Sequence, residues 1–147
     1  MARPKYSVDL EGPKAYIREA RISPKDSAEI ARQIKGMNVQ KAKALLNKVI
    51  KKEKAIPYRK HYKKVPHRKG KGWKPGKYPV KASKKFLELI QLAEQNAIYQ
   101  GLDPNNLVIK HVAAHPGIRF VKPDYRHRRM VRIKKRTTNL EIILQEK

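Results

Sequence analysis

The sequence predicts an α+β fold: three helices packed on a small antiparallel sheet, with a long basic C-terminal β-hairpin arm. Three observations predict it. Apolar residues recur at three-four spacing in three stretches, each bounded by helix start and stop signals. Short apolar and β-branched runs stand before and after that helical region. The last two runs are separated by a segment with strong single-sign charge, ten Lys or Arg against the one acid Asp124 between Lys110 and Arg136.

Ala15 to Ile22 reads as a strand between Gly12-Pro13 and Ser23-Pro24. Ser23 suits the N-cap of helix one, Pro24 its first position and Asp26 its first turn. Ala28, Ile30, Ala31 and Ile34 form its apolar side, and Gly36 suits the left-handed residue past its end. Asn38 can cap helix two, whose stripe is Val39, Ala42, Leu45, Leu46, Val49 and Ile50, with Lys41, Lys48, Lys51 and Lys52 away from it. The short link predicts a tight helical hairpin. Helix three runs from about Ala82 or Ser83 to Gln100, with Gly101 as its stop; its broad face, centred on Phe86, Leu89, Ile90, Ala93 and Ala97, suggests packing against both helices and sheet.

Leu107 to Ala114 and Leu140 to Leu144 read as the closing strands, with Pro116-Gly117 and Pro123-Asp124 as turn signals. Continued to a turn near Lys122 to Asp124, they make an arm over about residues 111–136. About ten residues of each strand, at roughly 3.3 Å apiece, give it a length near 30 Å. Such a ribbon is not stable alone in water and needs something to lie against.

The 147 residues suit a single domain, 1–147. Lys and Arg number 37 against 12 Asp and Glu, a net charge of +25, with a pI near 10.5. A compact body so charged repels itself, so a polyanion is expected in the working state. No myristoyl Gly, prenylated Cys or apolar run of membrane-spanning length points to a membrane. There is no Cys, which excludes disulfides and thiolate metal sites. The N-terminus carries no apolar export signal, so a cytosolic protein is expected.

The charge is concentrated in two places. The arm is one, and a basic insert, residues 54–79, is the other, with ten cations and no acid. Tyr58, Tyr62, Trp73 and Tyr78 are interleaved with those cations. Cations neutralise phosphates and aromatic rings stack on unpaired bases, so the pattern points to RNA. The candidate RNA contacts are Arg59, Lys60, Lys63, Lys64, Arg68, Lys69, Lys71, Trp73 and Lys74 in the insert. In the arm they are Arg119, Lys122, Arg126, Arg128, Arg129, Arg132, Lys134, Lys135 and Arg136. The competing readings are a solvated linker for the cations, and packing at the foot of helix three for Trp73 and Tyr78.

No catalytic constellation stands out. His111 and His115 are four apart, but on a strand and its exit, and no carboxylate or Cys completes a metal site. Phosphate-binding Gly patterns and nucleophile motifs are absent, as are the signatures of RRM, KH and zinc-finger modules. No cofactor, no metal and no enzymatic activity are expected.

The order and spacing of several stretches are similar to one known family. Ile34-Lys35-Gly36-Met37-Asn38-Val39 with Ala42, then Ala93-Glu94-Gln95-Asn96-Ala97, Gly101-Leu102-Asp103, Leu107-Val108-Ile109, Tyr125-Arg126 and Glu141-Ile142-Ile143-Leu144 together resemble protein twenty-two of the large ribosomal subunit, called protein seventeen in eukaryotes. The likeness spans nearly the whole chain. The insert resembles one found in archaeal and eukaryotic members, and the missing Cys favours the archaeal type.

The resemblance implies a structural constituent of the cytoplasmic large subunit. Its implied partners are large-subunit rRNA, other large-subunit proteins and the nascent peptide, with the hairpin lining the exit tunnel. By position the matching tip is Gly117 to Arg129. Ile118, Arg119, Phe120, Val121, Lys122, Pro123, Asp124, Tyr125 and Arg126 are the implied tunnel-facing residues. His127-Arg128-Arg129 departs from the small residues of eukaryotic members. Composition alone also allows a DNA-compacting protein, an RNA-modifying or RNA-cleaving enzyme and a disordered RNA chaperone. The helical stripes speak against the last.

Overall fold

The computed structural model describes residues 6–68, 75–126 and 129–146. The chain runs β1 (Lys14–Ala20), α1 (Pro24–Ile34), α2 (Val39–Ile50), β2 (Ile56–Pro57), β3 (Gly76–Lys77), α3 (Val80–Tyr99), β4 (Leu107–Arg126) and β5 (Arg129–Glu146), with one 3₁₀ turn at Pro104–Asn106. The predicted class holds: three helices, an antiparallel sheet and a C-terminal hairpin.

Local chemistry sets the helix ends. Ser23 Oγ accepts from the Asp26 N–H, and Asn38 Oδ1 accepts from the Gln40 N–H at 2.9 Å. Each satisfies a first-turn donor that no helical carbonyl can reach. Helix α3 starts earlier than predicted, directly after Pro79, whose ring nitrogen has no hydrogen to give a helical bond. It stops at Gly101, whose φ of 78° is left-handed. There the Leu102 N–H donates to the Ala97 carbonyl and the Gly101 N–H to Ile98, closing the last turn.

The predicted α1–α2 hairpin is not what forms. Helix α1 lies mainly against β4 and α2 against α3. The link between them pairs with the sheet: the Gly36 N–H donates to the Ile109 carbonyl at 2.8 Å, and the Ile109 N–H donates to Met37 at 2.9 Å. Gly36, at φ 80°, turns the chain onto that strand edge.

The three-stranded sheet has order β1-β5-β4, with β5 antiparallel to both neighbours. Leu140, Ile142 and Leu144 of β5 join Ile30, Ile34, Leu46, Phe86, Leu89, Ile90 and Ile109 in one core. The alternate β5 residues Glu141 and Ile143 are buried as well. The segment before β1 lies over them: Ser7 bonds Glu141, and the Leu144 N–H donates to the Pro13 carbonyl.

Strand β1 stops pairing with β5 at Thr138, opposite Ala20. From there β4 and β5 continue as a two-stranded ribbon. The register shifts between Pro116 and Arg119. In that shift sits Gly117, where a Cβ would come within 2.5 Å of Thr137 Oγ1. The ribbon therefore leaves the body at a bulge-type kink, where any side chain at position 117 would push against Thr137. Pairing continues through Tyr125 with Met130 and Arg126 with Arg129. The ladder thus runs past the predicted turn at Lys122 to Asp124. Pro123, read as a turn residue, sits in the ladder opposite Arg132. On a two-stranded ribbon a proline nitrogen can face outward, where no ladder bond is lost.

Phe86 is fully buried. Phe86→Ala is expected to cost about 3–5 kcal/mol in urea denaturation, whereas Tyr99→Ala, at a residue 94% exposed, is expected to stay within about 0.5 kcal/mol of the parent.

Candidate nucleic-acid interface

Directly opposed residues of an antiparallel pair share one face of the ribbon. On one face the rungs are Arg119/Arg136, Val121/Lys134, Pro123/Arg132 and Tyr125/Met130. On the other they are Phe120/Lys135, Lys122/Ile133, Asp124/Val131 and Arg126/Arg129. Four successive rungs, from Phe120/Lys135 to Pro123/Arg132, set a cation opposite an apolar residue. Neither face is dry, and each offers charge and apolar or aromatic surface side by side. Two rungs oppose Arg to Arg, an arrangement that costs stability unless an anion lies close by.

Arg119, Lys122, Arg129, Arg132, Lys134, Lys135 and Arg136 are all exposed. Among the described residues none of them makes an ion pair with a carboxylate. Ile118, Phe120, Val121 and Tyr125 are more than half exposed. The Arg126 side chain, Arg128 and the turn lie outside what the structure describes.

The insert is closed at its base. Strand β2 pairs with β3, His67 bridges Pro75, and the Tyr58 N–H donates to the Pro75 carbonyl at 3.1 Å. Two side chains of α1 hold its entry. Tyr58, grouped above with the base-stacking aromatics, is buried, and its hydroxyl donates to Asp26 Oδ1 at 2.7 Å. Burial and that carboxylate push its ionisation far above the ordinary tyrosine range.

Glu29, also buried, accepts from the backbone N–H groups of Arg59, Lys60 and His61 at 3.3, 2.9 and 2.9 Å and from the Arg32 guanidinium at 3.0 Å. Burial alone raises a carboxyl pKa; here the three N–H donors and Arg32 outweigh it and hold Glu29 below the usual range. The Arg59 and Lys60 side chains are left outside, as are Lys63, Lys64 and Arg68. Tyr62 is 53% exposed and open to stacking. Tyr78 is half-buried at the foot of α3, with the Arg68 guanidinium 5.4 Å from its ring centre. Lys69, Lys71, Trp73 and Lys74 lie outside the described residues.

The sequence offered no carboxylate for His111 and His115, and the fold supplies one. Glu141 is opposite Ala113, so the two histidines are its diagonal neighbours across the hairpin. Its Oε1 meets His111 Nε2 at 2.9 Å and His115 Nε2 at 3.2 Å, and the Ser7 N–H and hydroxyl donate to the same carboxylate. The Ser7 hydroxyl and Glu141 both meet His111 through Nε2, so the ring cannot relay a proton between them as a catalytic triad requires. No group of His, Asp and Glu among the described residues is arranged to hold a metal ion.

The chain matches the family model described as Ribosomal protein L22p/L17e over residues 15–145. It is 49% identical over 138 residues to a protein of Methanopyrus kandleri, covering 91% of this chain and 86% of the relative. It is 46% identical over 145 residues to one of Thermoplasma acidophilum, covering 96% and 94%. A relative from Methanoculleus marisnigri is 41% identical over 152 residues, covering 99% of both. Each of these is named large ribosomal subunit protein uL22. The chain belongs to the ribosomal protein L22p/L17e family. Members of the L22p/L17e family are structural ribosomal proteins and not enzymes, and the relatives are archaeal, as the insert and missing Cys indicated.

Arg21 and Lys81, which are not among the candidates read from the sequence, are two exposed cations that the fold brings to the root of the arm. Neither lies in a charge run, so only the three-dimensional arrangement reveals them.

Burial works to raise the Glu141 pKa, but Ser7, His111 and His115 overcome it and hold the carboxyl down at about 2. A depressed carboxyl stabilises the fold above its ordinary pKa and loses that contribution as pH falls through the folded value. The stability of the parent is therefore expected to fall between about pH 5 and pH 2, and Glu141→Gln to flatten that part of the profile. At neutral pH the same variant is expected to cost about 2 kcal/mol, both readings coming from urea denaturation across the pH range.

Proposed function

We propose that this chain is a structural constituent of the large subunit of the cytoplasmic ribosome. It binds large-subunit rRNA, stabilises the RNA fold during assembly, and its hairpin lines part of the nascent-peptide exit tunnel. The observation that carries this reading is the ribbon register. Among the described residues, exposed cations without an ion pair stand beside exposed apolar residues on both faces, which suits an arm enclosed by RNA on all sides. The names of the relatives support the ribosomal setting.

In this reading Arg119, Lys122, Arg126, Arg128, Arg129, Arg132, Lys134, Lys135 and Arg136 neutralise phosphates that pack around the arm. Arg59, Lys60, Lys63, Lys64, Arg68, Lys69, Lys71 and Lys74 do the same around the insert, where Trp73 stacks on an unpaired base. Lys41, Lys48, Lys51 and Lys52 dock the body on the RNA surface. Ile118 through Arg126 run along the distal ribbon toward the tunnel, with Arg126 nearest the turn. Other large-subunit proteins and the nascent peptide are further partners.

Binding is expected to be driven by counterion release. With about six to ten phosphate contacts, affinity for large-subunit rRNA should fall roughly 10³–10⁵-fold between 50 and 200 mM salt. Filter binding on deproteinised large-subunit rRNA and on duplex DNA of matched length tests both parts. A flat salt response, or equal affinity for the DNA, would overturn the reading. Co-sedimentation with large subunits after a high-salt wash tests the ribosomal assignment itself.

A further inference from the structure

At the root of the arm lies a cavity of about 600 Å³ lined by Arg21, Lys81, Lys134 and Arg136, with Tyr78 and Pro79 in its wall. The four cations come from three separate parts of the chain. Arg21 follows β1 and Lys81 is in the first turn of α3, so these two belong to the body. Lys134 and Arg136, two residues apart on one face of β5, lie just beyond Thr138, where β1 ends its pairing. All four are exposed, and none makes an ion pair among the described residues. The one acid in the lining, Asp26, is engaged by the Tyr58 hydroxyl.

The backbone adds to the same field. Pro24 and Val80, the first residues of α1 and α3, both line the cavity. Helix α3 has no side-chain cap and no acid in its first turn. The positive end of a twenty-residue helix therefore has no compensating charge of its own. Unpaired cations held together at such a cost in repulsion call for an anion between them.

We infer that this cavity seats a backbone phosphate of an RNA strand, and that the bound strand splints the arm to the body. The inference rests on the rRNA-binding reading and adds to it a site and a mechanical role. Beyond Thr138, among the described residues, the β4–β5 ladder is the only strand pairing that joins arm to body, and the register shift at Gly117 makes it a point of bending. A phosphate shared by Arg21 and Lys81 on one side and Lys134 and Arg136 on the other fixes the angle of that bend. A phosphate held by arm residues alone does not bridge the two.

The chain has no Cys, so spin labels can be placed cleanly at Val131→Cys on the arm and Gln91→Cys on α3. The distance distribution between them is measured by pulsed electron resonance with and without deproteinised large-subunit rRNA. The expected result is a broad distribution that narrows on binding. In the Arg21→Gln, Lys81→Gln double variant the distribution stays broad with RNA bound, affinity near 150 mM salt falls about ten-fold, and the salt slope becomes shallower by one to two. A charge-matched control, Lys35→Gln with Lys84→Gln, narrows like the parent. The swap Arg21→Lys, Lys81→Arg restores narrowing, which separates charge from misfolding. A double variant that binds and narrows like the parent overturns the splint, as does a distribution already narrow without RNA. Equal narrowing with polyglutamate overturns the assignment to a nucleic acid. A parent that fails to bind rRNA at all sinks the rRNA reading instead.

Discussion

The β4–β5 ladder is the interaction on which the rest of the molecule depends. In the body β5 is the central strand, paired on both edges and buried on both faces. Farther out the same two strands are all there is. One register therefore serves core and arm alike, and a slip of one residue would turn every side chain of both to the wrong face. Two features fix it where the ribbon leaves the body. Glu141 reaches both His111 and His115 only in the native alignment, and Gly117 marks the point where the alignment shifts.

The distribution of acids follows from this plan. Glu29 and Glu141 are each buried at the root of one basic excursion, where most of their partners are N–H, hydroxyl and imidazole groups, with Arg32 the one cation on Glu29. Glu94, also buried, meets Lys43 between α2 and α3. With these carboxylates engaged inside, Arg119, Lys122, Arg129, Arg132, Lys134, Lys135 and Arg136 of the arm make no ion pair among the described residues. The fold thus keeps its own electrostatic needs separate from those of its ligand.

Much of the architecture was legible in the sequence because it is local. The caps at Ser23 and Asn38, the stop at Gly101 and the stripes of α1, α2 and α3 all depend on residues within a few positions of each other. The misreadings involve partners distant in the chain. The short link between α1 and α2 suggested a helical hairpin, but its backbone pairs with Ile109, more than seventy residues on. Pro123-Asp124 carries turn residues, yet a proline is tolerated on a ribbon edge, so the ladder runs past it. With the turn placed too early, Glu141 falls out of register with the histidines, which is why they looked unaccompanied. Tyr58 and Tyr62 are each followed by two cations in the sequence; the α1 carboxylate Asp26 meets the first and leaves the second open.

The opposed arginines have a consequence for the protein before it meets its partner. A two-stranded ribbon presents hydrogen-bonding edges along its whole length, and such edges template pairing with another chain. Phe120, Val121, Ile133 and Val131 would supply the apolar contact that holds two ribbons together. Arg119 against Arg136 sets like charge at the near end of that segment. A second copy laid alongside would bring further positive charge against it. The charges proposed to meet RNA thus also act as gatekeepers against aggregation of newly made copies.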